Sequence, residues 1–208
     1  MERFAGRYEL LRSLGQGGMG SVWLARDLSN GTECVVKRLD PDVLRVAPGS
    51  LRREFELLAR VRHPSVVTVH ELGFAPDGAP YLTMEYVPGV AAGAAERTWD
   101  TEALCFVAAQ VAQGLEALHA AGVVHGDLKP SNLLLLPSRE GESLPAGVRL
   151  VDFGLASLLG RDVEGHRGTA GFAAPEVVRG ESPSVASDLY GLGAMLYALA
   201  AKRVTPEG

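Results

Sequence analysis

A chain of 208 residues, 47% hydrophobic and 22% charged, has an ordinary globular composition, with room for one large core or two small lobes; wholesale disorder is excluded. Its net charge of −5 gives no basic excess of the kind that draws nucleic acid or an anionic membrane. The apolar stretches 103–115 and 189–201 are too short to span a bilayer, MERFAGRYEL lacks a signal-peptide core, and Cys34 and Cys105 form no disulfide or metal pattern, so no membrane segment and a reducing, cytoplasmic setting are expected.

The first part of the chain reads as short strands. Tyr8–Leu14 runs into the cluster Gly15-Gln16-Gly17-Gly18-Met19-Gly20, and Ser21–Arg26 follows it directly. Asp27–Gly31 is a turn signalled by Asn30-Gly31, and Cys34–Leu39 is a third strand, which makes an antiparallel meander. Pro48-Gly49-Ser50 opens a helix with Ser50 at its N-cap, and Leu51, Phe55, Leu58 and Val61 form its apolar face. Strands near Val66–Phe74 and Tyr81–Tyr86 flank the turn Ala75–Gly78. The small, nearly uncharged stretch Pro88–Ala95 marks a hinge.

The second part is mainly helical. Asp100 or Thr101 caps a long helix with Leu104, Val107, Ala108, Val111, Leu115 and Leu118 on one face, and Gly122 stops it. Val123-Val124, Leu133–Leu136 and Val148–Val151 are short strands, Pro137–Gly147 is a surface connection, and Ser187–Ala201 is an apolar helix.

Gly15, Gly17 and Gly20 fit G-x-G-x-x-G, a pattern that lets backbone N–H groups approach phosphate oxygens. The dinucleotide-binding form needs a helix directly after the last glycine, whereas Ser21–Leu24 reads as strand. A plain glycine-rich hairpin is the competing reading. Lys37 shifts that balance. It shares a face with Val35 on an apolar strand, and a buried ammonium needs an anion. At 3.6 residues per turn Glu54 falls between Leu58 and Val61 on the apolar side of its helix, and Glu56 falls on the far side. Glu54 is therefore the expected partner of Lys37.

His125-Gly126-Asp127-Leu128-Lys129-Pro130-Ser131-Asn132 supplies a base, a cation and a metal-binding amide in one polar loop. Asp152-Phe153-Gly154 follows the strand Val148–Val151 directly. A carboxylate placed there suits Mg²⁺, which takes one or two carboxylates plus phosphate oxygens. Gly168-Thr169 and Ala174-Pro175-Glu176 complete an ordered set.

This set resembles the eukaryotic-type (Hanks-type) serine/threonine protein kinase family, over about Tyr8–Ala201. The resemblance implies an α+β, two-lobed fold within one domain over 1–208. An antiparallel β N-lobe with one helix (8–87) precedes a mainly helical, partial C-lobe (88–208) that lacks its last helices. It implies ATP and Mg²⁺, and a protein substrate with a serine or threonine acceptor, with no nucleic acid. Backbone at Gly15–Gly20 covers the phosphates; Lys37 holds them and is fixed by Glu54. Val22, Val35 and Leu134 contact the adenine, with the hinge at Glu85-Tyr86-Val87 and Met84 just before it at the back of the adenine pocket. Asp127 is the base, Lys129 meets the γ-phosphate, and Asn132 and Asp152 ligate the metal.

Some positions depart from the family pattern. Gly126 replaces the arginine that typically receives an activation-loop phosphate. Between Asp152 and Ala174 the only hydroxyl residues are Ser157 and Thr169. Receiver and acceptor are both missing, so activity is expected to be independent of that phosphorylation. Val35 stands where alanine is usual. After Ala201 only seven residues remain, so an uncovered apolar helix face is expected, to be covered by a partner or a missing segment. The alternative reading is a nucleotide-binding pseudokinase or an inactive kinase fragment acting as an interaction module.

Overall fold

Six strands with alternating side chains, all between residues 3 and 85, build one antiparallel sheet. Its strands are β1 (Arg3–Phe4), β2 (Tyr8–Gly17), β3 (Gly20–Asp27), β4 (Glu33–Leu39), β5 (Val69–Phe74) and β6 (Pro80–Glu85), in the order β1-β2-β3-β4-β6-β5. The structure is a computed structural model that describes residues 3–17, 20–40, 50–97, 99–139, 141–153 and 171–201. The chain divides into two units, Met1–Ala59 with Thr68–Tyr86, and Arg60–Val67 with Val87–Gly208.

Register gives the sheet of the first unit two different faces. Val36 lies opposite Trp23 and Thr83, and Cys34 lies opposite Ala25. On this side Tyr8, Ala25, Cys34, Val36, Ala75 and Tyr81 form a core, with Phe4 and Tyr8 both edge-on to Tyr81. Burial in that core pushes the Cys34 thiol up to about 11. Arg7, in the β1–β2 turn, grips Asp27 through Nε (2.9 Å) and Nη2 (2.6 Å) and reaches Glu71 through Nη1 (2.7 Å). The alternate residues, one position out of phase, make the other face.

Helix α1 (Ser50–Leu58) buries Leu51 and Leu58 and leaves Glu56 exposed beside Arg52. It starts at Ser50, which the sequence suggested as the N-cap, and it stops short of Val61. The following segment is held by the second unit: Ser65 accepts from Leu150 N (2.8 Å) and Val67 N donates to Leu150 O (3.0 Å). Val66 accordingly bridges Leu150 and does not open β5.

In the second unit, β7 (Val90–Ala91), β8 (Leu133–Leu135) and β9 (Val148–Leu150) form a three-stranded sheet. Helix α2 (Thr101–Ala120) is N-capped by Asp100, whose side chain accepts from Ala103 N at 2.8 Å. By length and composition α2 is apolar enough to cross a membrane. Its buried residues Val107, Val111, Leu115 and Leu118 pack toward β9 and α4 (Val185–Ala200), as in a core helix. Val123 and Val124 pair with no strand among the described residues. The Val123 amide closes the end of α2 on Leu118 O, after Gly122 turns the chain at φ +77°. A short helix α3 (Pro175–Val178) precedes α4, which opens two residues earlier than its periodicity indicated because Ser184 and Ser187 form a reciprocal cap. Leu189, Tyr190 and Tyr197 on α4 are exposed, so the apolar face expected from the sequence is present among the described residues.

Candidate active site

In the first unit the site residues share the second face of the sheet. Lys37 lies opposite Val22 and Leu82, and Val35 lies opposite Leu24 and Met84. Lys37 is only 4% exposed. Gly15 pairs with Val22, and Gly17 pairs with Gly20 to close the hairpin. Gly20 (φ +125°) is required there, because a Cβ would collide with the Arg38 carbonyl on β4. Gln16 lies on β2 beside Ser21. Gly18, Met19, Gly154, Ser157, Gly168, Thr169 and residues 202–208 lie outside the described residues, as does the side chain of Glu54. Glu85 ends β6 and donates its N–H to Thr68 O (2.9 Å).

In the second unit the loop after α2 brings Asp127, Lys129 and Asn132 together. Asp127 Oδ2 receives Lys129 Nζ at 2.9 Å and Asn132 Nδ2 at 3.1 Å. The same Nδ2 donates to the Asp127 carbonyl at 2.9 Å. Two acceptors engage that nitrogen, so the Asn132 amide oxygen is turned away from Asp127. The 3₁₀ turn Pro130–Asn132 places Asn132 at the start of β8, and Val151 N donates to Asn132 O at 3.0 Å. Asp152 follows one residue later with φ +59°, a left-handed conformation for a residue with a side chain. Leu134 lies opposite Ala91 and Arg149, with its β8 neighbours Leu133 and Leu135 buried. Val87 begins the second unit and accepts from Gly89 N at 2.9 Å.

These donors fit magnesium. Among the described residues no group of three His, Cys, Asp or Glu side chains could hold a metal by itself. One amide oxygen and one carboxylate match an ion that draws most of its ligands from phosphate and water.

A buried layer supports the loop. Asp188, in the first turn of α4, accepts from His125 N (2.8 Å), Gly126 N (2.9 Å) and His119 Nε2 (2.7 Å). His125 is fully buried, stacks edge-on against Phe153 and accepts from Asp127 N (3.3 Å) through Nδ1. Burial holds its pKa below the ordinary 6.5, against the opposing pull of Asp188, Asp127 and Asp152, so the ring is neutral. His119 was not singled out by the sequence motifs; its only signal was a histidine at the end of a helix shortly before the loop.

A family model described as "Protein kinase domain" matches residues 8–207. The chain is 35% identical to a probable serine/threonine-protein kinase of Streptomyces coelicolor, over 95% of this chain and 30% of that protein. It is 37% identical to the serine/threonine-protein kinase PknB of Mycobacterium tuberculosis, over 92% of this chain and 32% of that one. The chain thus spans about a third of the length of these relatives. Among solved structures, a variant of the Mycobacterium tuberculosis PknI kinase domain superposes with a TM-score of 0.73 at 29% identity, covering 96% of this chain and 75% of that one.

Proposed function

The chain belongs to the protein kinase domain family, and on that footing we propose that it transfers the γ-phosphoryl group of ATP to a serine or threonine hydroxyl of a protein. The observation that carries this reading is the Asp127 carboxylate, held by Lys129 and Asn132. Asp127 takes the hydroxyl proton as the oxygen–γ-phosphorus bond forms and the bond to the β-phosphate oxygen breaks, releasing ADP. Lys129 meets the transferring group. On the first sheet, backbone at Gly15–Gly20 covers the phosphates, Lys37 binds them with Glu54 as its partner, and Val22, Val35, Met84 and Glu85 are adenine-contacting positions of the first unit; Val87 and Leu134 are those of the second. Asn132 and Asp152 are the residues that would hold Mg²⁺, which when bound neutralises phosphate charge.

Activity is independent of activation-loop phosphorylation in this reading, because Gly126 offers no guanidinium to receive a phosphate. Phosphatase treatment is expected to leave the rate unchanged. The decisive assay uses γ-labelled ATP, Mg²⁺ and a mixed peptide array, with Asp152→Ala as control. Label on serine or threonine that disappears in the control supports the kinase. No label, together with thermal stabilisation by ATP, marks a nucleotide-binding interaction module instead.

A further inference from the structure

Directly opposed residues of an antiparallel sheet share a face. One such row crosses four strands of the first unit: Arg12 on β2 lies opposite Leu24, Leu24 opposite Val35, and Val35 opposite Met84. Arg12 is therefore on the face that carries the adenine-contacting positions Val35 and Met84. It arrives there through a break in alternation. β2 fits one extra residue, Leu11, between the pairs Leu10–Ala25 and Arg12–Leu24. Without that residue Arg12 would fall opposite Trp23, whose own partner Val36 belongs to the core around Tyr8. A bulge of this kind re-aims a side chain.

From this position the Arg12 guanidinium donates through Nη2 to the Tyr86 hydroxyl at 3.2 Å. Tyr86 directly follows β6, two residues past Met84. The two strands are not neighbours, because β3 and β4 lie between β2 and β6. Three strand spacings come to about 14 Å in a flat sheet, a gap that only two long side chains extended toward each other can close. The bond therefore spans the strands that carry Leu24 and Val35. The row Gly15–Val22–Lys37–Leu82 lies two residues further along β3, β4 and β6. The bridge thus borders the adenine-contacting positions on the side away from Lys37.

We propose that Arg12 and Tyr86 form a strap across the rim of the adenine site, closing beside bound nucleotide and slowing the release of ADP. The bond is exposed, so it breaks and re-forms at little cost to the fold. The inference rests on the reading of this sheet face as a nucleotide site.

The test follows the release of fluorescent N-methylanthraniloyl-ADP from the full chain, chased with excess ATP by stopped flow. It compares the unsubstituted protein with Arg12→Met, Tyr86→Phe and the double variant. Methionine keeps much of the arginine stem without its donors, and phenylalanine keeps the ring without its hydroxyl. The dissociation rate is expected to rise about two- to tenfold in each single variant, the range one hydrogen bond supports. The double variant is expected to release no faster than the singles, since either change alone removes the same bond. Urea midpoints of all four proteins are expected to coincide. Release that is equal or slower in the variants overturns the strap, and so do single effects that multiply in the double variant. No binding of the labelled ADP by the unsubstituted chain overturns the nucleotide reading together with the strap, whereas binding with equal release rates overturns the strap alone.

Discussion

The two units present their polar groups by different physics. In the first, Lys37 reaches its face because β4 alternates and is paired on both sides, so neighbouring strands fix it as they fix Val35. In the second, Asp127 sits in a loop with no ladder, and the backbone N–H groups of the two residues before it donate to one buried carboxylate far along the chain. A sheet face is redundant, since many ladder bonds maintain it. The loop is held by a few individual hydrogen bonds, of which the two to Asp188 fix the residues just before Asp127.

The sharpest break in that comparison is chemical. Asp127→Ala is expected to lower kcat roughly 10²–10⁴-fold, the usual loss for a positioned base, while ATP still shifts the melting temperature. Lys37→Met is expected to end transfer with little change in the urea midpoint, since methionine fills a similar volume on an apolar face. Asp188→Ala is expected to do the opposite to stability. It strands the buried N–H of His125, at roughly 1–3 kcal/mol, and the part-buried N–H of Gly126, which costs less, so a loss of at least about 1–3 kcal/mol is expected in urea unfolding.

Acid separates the units next. Hydrogen bonds from Arg7 foremost, and from Ser29, hold the Asp27 carboxyl well below the ordinary 3.8 despite its burial. Its contribution is full above that value and is lost only as pH falls well beneath it. His125 is depressed by burial from 6.5, so its contribution is full above 6.5 and declines as pH falls below. Acidification from about pH 7 to about pH 5 is expected to loosen the second unit while the first holds. Trp23 and Trp99 lie in different units, so fluorescence of Trp99→Phe and Trp23→Phe variants reads the two separately. Simultaneous loss would show that the units unfold as one. The smallest effect is at the cap of α4, where Ser184→Ala is expected to cost about 1 kcal/mol in urea unfolding.

Much of the strand pattern was legible. β2, β3, β4 and β6 follow from alternation and from the turns at Asn30-Gly31 and Asp77-Gly78, and Asp100 was readable as a cap. The missed pieces share a cause. Val90–Ala91 is a strand because β8 lies beside it, and Val66 bridges Leu150 because that backbone comes within reach. Val123-Val124 looks like a strand but pairs with no other segment among the described residues. Pairing between distant segments is not a property of either segment.

Residue type and spacing alone determined the family, the order of the motifs and the chemical inventory, because periodicity, caps and short motifs act within a few residues. Only the tertiary structure decided which sheet face carries Lys37, which way the Asn132 amide points, and that Asp188 anchors His125 and Gly126. Each of those needs groups tens of residues apart to meet at hydrogen-bond distance, and only the folded chain brings them there.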